Sequence, residues 1–217
     1  ILENFPFLEV AIRHLYWKVP FFNKNINKIV NKQSVINDKE IDQNRFFRSL
    51  SSLGVKLGDT LIVHSSYLEL KRFGMSPDQI IDRLLQLIGS EGTLIMPAIP
   101  IFRGQPLLID RFKLENYVKT PIYDVNKSRI CTGALPGALV KRPGSVRSRS
   151  PLNSMVIFGR NSASISDHLT FSNSSLPCGK GSVLANSLQY NPKLLFLGVD
   201  EVHSMTMIHV VEDLNPE

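Results

Sequence analysis

Near the end of the 217-residue chain, the run MTMIHVVE sets Thr206, His209 and Glu212 at successive three-residue steps. On a helix such residues drift along one side across neighbouring turns, so they can neighbour one another. A neutral imidazole beside a carboxylate has the ingredients of a general base. One ring nitrogen takes up a proton while the other is held and the resulting cation is stabilised. The same spacing also suits an ordinary, partly buried helix with a hydrogen-bonded histidine, and spacing alone leaves both readings open.

Other chemistries find no support in the residues. There is no G-x-S-x-G, as a nucleophile-elbow hydrolase needs, and no G-x-G-x-x-G after the first strand. CGKGS resembles the tail of a phosphate-binding P-loop. However, Ser174 stands where the first glycine belongs, and Gly181 stands where Ser or Thr is required. His203 and His209 are six apart rather than four, which does not suit a helical zinc pair. No metal is expected.

Composition is that of a globular protein, 43% hydrophobic and 20% charged. The 25 Lys+Arg against 19 Asp+Glu give +6. That excess suits an anionic ligand, and without a basic stripe interleaved with aromatics it does not point to nucleic acid. The two cysteines, Cys131 and Cys178, are far apart, which fits a reducing compartment better than a disulfide scaffold. No apolar run approaches the roughly 20 residues of a membrane helix, and charges scattered through the first residues do not suit a secretory signal. A cytoplasmic location is the expectation.

The elements that would position the candidate base follow from periodicity. Residues 1–20 read as an amphipathic helix, with Phe5, Leu8, Ile12, Leu15 and Val19 on one face and Pro20 at its end. Contact with a membrane surface is the lesser reading, because the polar face is not strongly basic. Residues 23–40, rich in Asn and Lys, read as a linker, and residues 41–217 as the main domain. That domain opens with a helix ending at Gly54 and a short strand, Thr60–Val63. A helix from Ser76 and Pro77 to Ile88 follows, then the buried strand TLIMPAIP. Residues 101–130 form a long excursion, of a kind often functional inside a compact domain. TGALPGALVK reads as a short helix interrupted by Pro136, and RPGSVRSRSP as a loop. Then come the strand SMVIFG, a helix over 162–169, a Gly- and Ser-rich loop, a short helix near 182–188 and the strand KLLFLGV. Buried strands alternating with helices imply an α/β fold: a three-layer α/β/α sandwich around a mixed, largely parallel sheet. Ligands of such folds bind beyond the carboxyl ends of strands, where VHSS, MPAIP and LGVDEVHSMT all lie.

Taken in order, GVKLGDTLIVHSS, EGTLIMP, TGALP, RPGSVRSRSPLNS, GKGSVL and LLFLGV followed by T-x-x-H-x-x-E form a succession. It resembles the aminoglycoside 3-N-acetyltransferase family, whose members use acetyl-CoA on a fold distinct from the common acetyltransferase (GNAT) fold. The resemblance spans about residues 44–212. It implies direct transfer of an acetyl group from acetyl-CoA to an amine of an aminosugar or aminoglycoside-like acceptor, with a histidine as general base. A protonated amine cannot attack, so a base and precise positioning supply most of the rate. By matching positions, the resemblance makes His209 the base, with Glu212 orienting it or binding the amine and Thr206 fixing the site. It puts His64, Ser65 and Ser66 along the cofactor. It places Thr132 and Gly133 where backbone approaches closely, and Arg147, Ser148 and Ser154 on the cofactor side. Arg142 and Arg147 are further expected to offset phosphate charge. Read without the resemblance, VHSS is a strand exit with serine caps, and RPGSVRSRS a solvated basic loop.

Some positions depart from the family pattern. Ser150 stands where the family usually has histidine, Gly137 where it has glutamate, and Met205 where a polar residue is common. About 40 residues precede the matching region, and the chain ends soon after Glu212, which reads as C-terminally incomplete. These departures favour a divergent relative, with a nucleotide-linked or surface-polysaccharide aminosugar among its candidate acceptors. They also motivate two alternatives, an O-acyltransferase of a polysaccharide sugar and a CoA-binding relative without chemistry. A homodimer is compatible with the sequence.

Overall fold

The computed structural model describes residues 42–101, 122–166 and 176–215. The expected amphipathic helix of 1–20, the linker of 23–40, most of the 101–130 excursion and the far end of the 162–169 helix lie outside the described residues. Helix α1 spans Gln43–Ser52, followed by β1, Thr60–Ser65. Next come α2, Tyr67–Leu70, with a 3-10 turn after it, then α3, Pro77–Ile88, and β2, Thr93–Pro97. Helix α4 is Ala134–Leu139, β3 is Val146–Arg147, β4 is Met155–Gly159 and α5 is Ser162–Ser166. Helix α6, Val183–Ser187, leads through a 3-10 turn to β5, Lys193–Leu197. Helices α7, Glu201–Ser204, and α8, Met207–Leu214, follow.

The five strands form one sheet in the order β3-β4-β2-β1-β5. Strand β1 pairs in parallel with both β2 and β5, and β4 opposes both β2 and β3. Four of the strands therefore share a direction and β4 alone is reversed, which is the mixed, largely parallel sheet expected. In this register Pro97, at the exit of β2, faces Met155, at the entry of β4.

Side-chain alternation along the strands builds the two outer layers. Leu61, Val63, Leu94, Met96 and Val156 point to one face, where they meet Phe47 and Leu50 of α1, Ile80, Ile81, Leu84 and Ile88 of α3, and Leu135 and Leu139 of α4. Ile62, Ile95, Met155 and Ile157 point to the other, where they meet Ile165, Cys178, Val183, Leu184 and Val210. Helix α3 shows how sequence dictates such an element. Ser76 Oγ accepts a hydrogen bond from the Gln79 amide while Gln79 Oε1 accepts one from the Ser76 amide, and Pro77 follows at the first helical position. This reciprocal cap satisfies two amides that the first turn leaves without partners. Burying each of its four inward aliphatic side chains contributes about 1.5–3 kcal/mol, and Leu84→Ala is the change that would most directly open this layer, at about 2–5 kcal/mol.

Three expectations are corrected. Pro136 does not interrupt its helix: it is the third residue of α4, in the first turn, where no intrahelical amide bond is lost. The loop 142–151 contains β3, a two-residue strand too short to show any period. The segment 204–212 is not one helix. Helix α7 ends at Ser204, the Thr206 amide bonds back to the Ser204 carbonyl, and α8 starts at Met207 with Thr206 as its N-cap residue. Among the described residues no helix is long and apolar enough to cross a membrane.

Candidate active site

The carboxyl end of β1 is a meeting point. In the β1–β5 register His64 lies opposite Phe196 and Ser65 opposite Leu197, and the imidazole stacks on the Phe196 ring with centroids 5.5 Å apart. The Ser66 amide then closes onto the Leu197 carbonyl at 2.9 Å. Ser66 caps α2 in position only, its hydroxyl making no cap hydrogen bond. Gly133, at the N-cap of α4, has φ of +115°, a conformation that suits glycine. A side chain built there would come to 4.0 Å from the Ser65 carbonyl oxygen. The TGALP turn thus runs alongside VHSS. Thr132 Oγ1 donates to the Pro97 carbonyl at 2.5 Å, which ties that turn to the exit of β2. Gly198, at φ +67°, is the second glycine the site requires, since a Cβ there would come within 2.6 Å of Glu69 Cβ.

Thr206 joins this cluster from the other side. Its Oγ1 lies 3.3 Å from His64 Nε2. His64 is only 7% exposed, and burial holds its imidazole below the ordinary value, in the neutral form. A neutral ring with one donor and one acceptor nitrogen suits a hydroxyl partner. The Thr206 side chain therefore anchors the start of α8 to β1, and its tie to His209 is through the backbone alone, the Thr206 carbonyl accepting the His209 amide.

From that anchor α8 exposes the two remaining residues of the opening triad. Val210 is buried in the core beneath the sheet, so the helix face carrying His209 and Glu212 turns outward. His209 Nδ1 lies 2.9 Å from Glu212 Oε2, with side chains 53% and 62% exposed. An ionised carboxylate only accepts, so the Nδ1 proton is the donor and Nε2 is left with its lone pair free. This excludes the reading of His209 as a satisfied core histidine. The ring is more than half exposed, with Nδ1 engaged by Glu212.

The residues expected on the cofactor side behave differently. Arg147 is 6% exposed. Its Nη atoms donate to the carbonyls of Ser128 at 2.6 Å, Ala98 at 2.7 Å and Val125 at 3.4 Å, and its guanidinium lies over the Tyr123 ring. Ser148 and Ser154 are buried too. Ser148 Oγ accepts from the Met155 amide, Ser154 Oγ contacts the Tyr123 hydroxyl at 3.0 Å, and that hydroxyl donates to the Ser148 carbonyl at 2.6 Å. Arg142 pairs with Asp82 of α3 and donates to the Asp78 carbonyl. Arg142 and Arg147, expected to offset phosphate charge, thus direct Nη donors at protein groups. Their Nη groups donate to protein carbonyls and to Asp82, while both Nε atoms are buried without a hydrogen-bond partner among the described residues. In the same block Arg149 is exposed. Tyr123, the hub of the network, carried no signal in the sequence, since a half-buried phenol looks like any other aromatic in an aperiodic stretch.

Comparison with known proteins follows the same geometry. Residues 62–217 match the family model described as aminoglycoside 3-N-acetyltransferase. The chain is 29% identical over 181 residues to aminoglycoside N(3)-acetyltransferase IX of Micromonospora chalcea, covering 80% of this chain and 62% of the relative. Among solved structures, aminoglycoside acetyltransferase AAC(3)-Xa superimposes with a TM-score of 0.68 at 28% identity, over 80% of this chain and 61% of that one. AAC-IIIb in a binary complex with CoASH superimposes with a TM-score of 0.64 at 27% identity, over 80% and 65%. The chain thus spans about three fifths of the length of the curated relatives it matches. With its family model matched from β1 through α8 and its fold shared with these enzymes, the chain belongs to the aminoglycoside 3-N-acetyltransferase family.

Proposed function

We propose that the protein is an acetyl-CoA-dependent N-acetyltransferase acting on an amine of an aminoglycoside-like aminosugar, with His209 as general base. The carrying observation is the exposed His209–Glu212 pair at 2.9 Å, standing one helical turn beyond the Thr206–His64 anchor. The N-acetyltransferase names of its relatives and the CoASH complex of AAC-IIIb support the reading.

The rim fits an extended cosubstrate in two respects. Gly133 itself places no side chain beside the Ser65 carbonyl, and the Ser66 hydroxyl is not committed to a helix cap. Ser65, Ser66, Thr132 and Gly133 would hold acetyl-CoA, with His64 supporting them from below through its stack on Phe196. Acetyl-CoA, when bound, supplies the acetyl group as a thioester. The chain's own part is proton handling. His209 Nε2 takes the proton from the attacking amine, and Glu212 holds the Nδ1 proton and stabilises the imidazolium that forms. Thr206 fixes the height of this pair relative to β1.

Replacement of His209 by Ala tests the reading. Release of free thiol from acetyl-CoA with an aminoglycoside acceptor should fall about 10²–10⁴-fold, while CoA binding measured by calorimetry stays close to wild type. Near wild-type turnover in His209→Ala would remove His209 from the reaction.

A further inference from the structure

Helix α8 is held at three places. Thr206 anchors its start and Val210 its underside. The third tie lies beside the catalytic pair itself. Asp213 follows Glu212 directly, and its Oδ2 accepts the Cys178 amide proton at 2.7 Å, across 35 residues of sequence. A carboxylate accepting a backbone amide makes a charge-assisted bond, stronger than a neutral one.

The connection continues beyond Cys178. The Cys178 thiol, 1% exposed, receives a hydrogen bond from Asn153 Nδ2 at 2.9 Å. Asn153 has φ of +51°, a left-handed conformation that asparagine tolerates better than most residues. It immediately precedes Ser154, which joins the Tyr123–Ser148 network. Burial first, and the Asp213 and Glu212 carboxylates after it, push the Cys178 thiol up, so it stays protonated and both carboxylates lie within its electrostatic reach. A continuous path of contacts therefore runs from the helix bearing His209 to the entry of β4.

We propose that Asp213 is a positioning residue: through Cys178 and Asn153 it fixes the C-terminal half of α8, and so the direction of His209 Nε2, against the loop that enters β4. The proposal rests on the role given to His209 above. Asp213 touches neither substrate nor the reacting atoms. It acts by limiting the sway of a helix whose exposed face has no other tie among the described contacts. Displacements of the order of 1 Å in a catalytic group cost about 10²-fold in rate, and groups at such sites are held to fractions of that distance by their supporting contacts.

The test uses the full chain with acetyl-CoA and an aminoglycoside acceptor. Asp213→Ala should lower kcat about 10²-fold while the KM for acetyl-CoA changes less than about threefold. Asp213→Asn should recover most of that loss, because its Oδ1 can accept the same amide proton. Should Asp213→Ala fail to fold, Asp213→Glu, which carries the carboxylate one methylene further out, is expected to show the same kcat loss without a change in KM. Wild-type kcat in Asp213→Ala or Asp213→Glu, a loss confined to KM, or an Asn variant as slow as the Ala variant would overturn the assignment. His209→Ala serves as the reference. If it stays active, the reading of the site fails; if it is inactive while Asp213→Ala turns over normally, only the positioning role fails.

Discussion

Thr206 Oγ1 and His64 Nε2 lie 3.3 Å apart, across 142 residues of sequence. This contact joins the last residue before α8 to the exit of the first strand, and its removal has a defined cost. Thr206→Val keeps the shape of the side chain but leaves a buried ring nitrogen without a partner, a loss of about 1–3 kcal/mol. Urea unfolding should show that loss for Val and little for Thr206→Ser, which keeps the hydroxyl.

The same histidine makes stability depend on pH. Burial lowers the His64 value below 6.5, so the unfolded chain binds a proton there in a range where the native chain does not. Stability then falls as pH drops through 6.5, because the unfolded state gains the proton first. Unfolding free energy measured from pH 7.5 down to 5 should decline with that sign, and His64→Gln should flatten the slope.

Glu212 and His209 are both more than half exposed, so their pairing contributes little to stability. The pairing matters for the tautomer. Glu212→Gln should leave the melting temperature within about 1 °C of wild type and still lower kcat about 10–10²-fold. Equal losses of stability and rate would instead make Glu212 a structural residue.

Arg147 offers the opposite pattern. A phosphate ligand would, on removal, raise the KM for acetyl-CoA without unfolding the protein. Here Arg147→Lys should cost about 2–4 kcal/mol, because an ammonium cannot span the carbonyls of Ala98, Val125 and Ser128 that the planar fork serves. Thermal unfolding beside acetyl-CoA KM separates the two roles.

How far the sequence foretold this structure differs from element to element. Strands β1, β2, β4 and β5 are legible because buried sheets leave continuous aliphatic runs between turns, and α3 because Ser76, Pro77 and Gln79 spell out its start. The His209–Glu212 pair is legible because a three-residue step on a helix places neighbours together. The break at Met205–Thr206 is not, since it follows from Thr206 reaching for His64, a partner that only folding supplies. The burial of Arg147 was not legible for a similar reason. In a run such as RPGSVRSRS every cation looks solvated, and nothing local says that one of them will be enclosed by carbonyls from distant segments. Asp213 was silent as well, because its partner is a backbone amide, which every residue carries.

Strand β4 runs against its neighbours, and its entry, not its exit, stands level with the exit of β2. One rim of the sheet thus receives chain both leaving strands and arriving at one. Insertions before β4 and insertions after β1, β2 or β5 reshape the same border while belonging to separate stretches of sequence. Variation along this border can therefore accumulate in one of these segments while the others, and the His209–Glu212 pair, stay as they are.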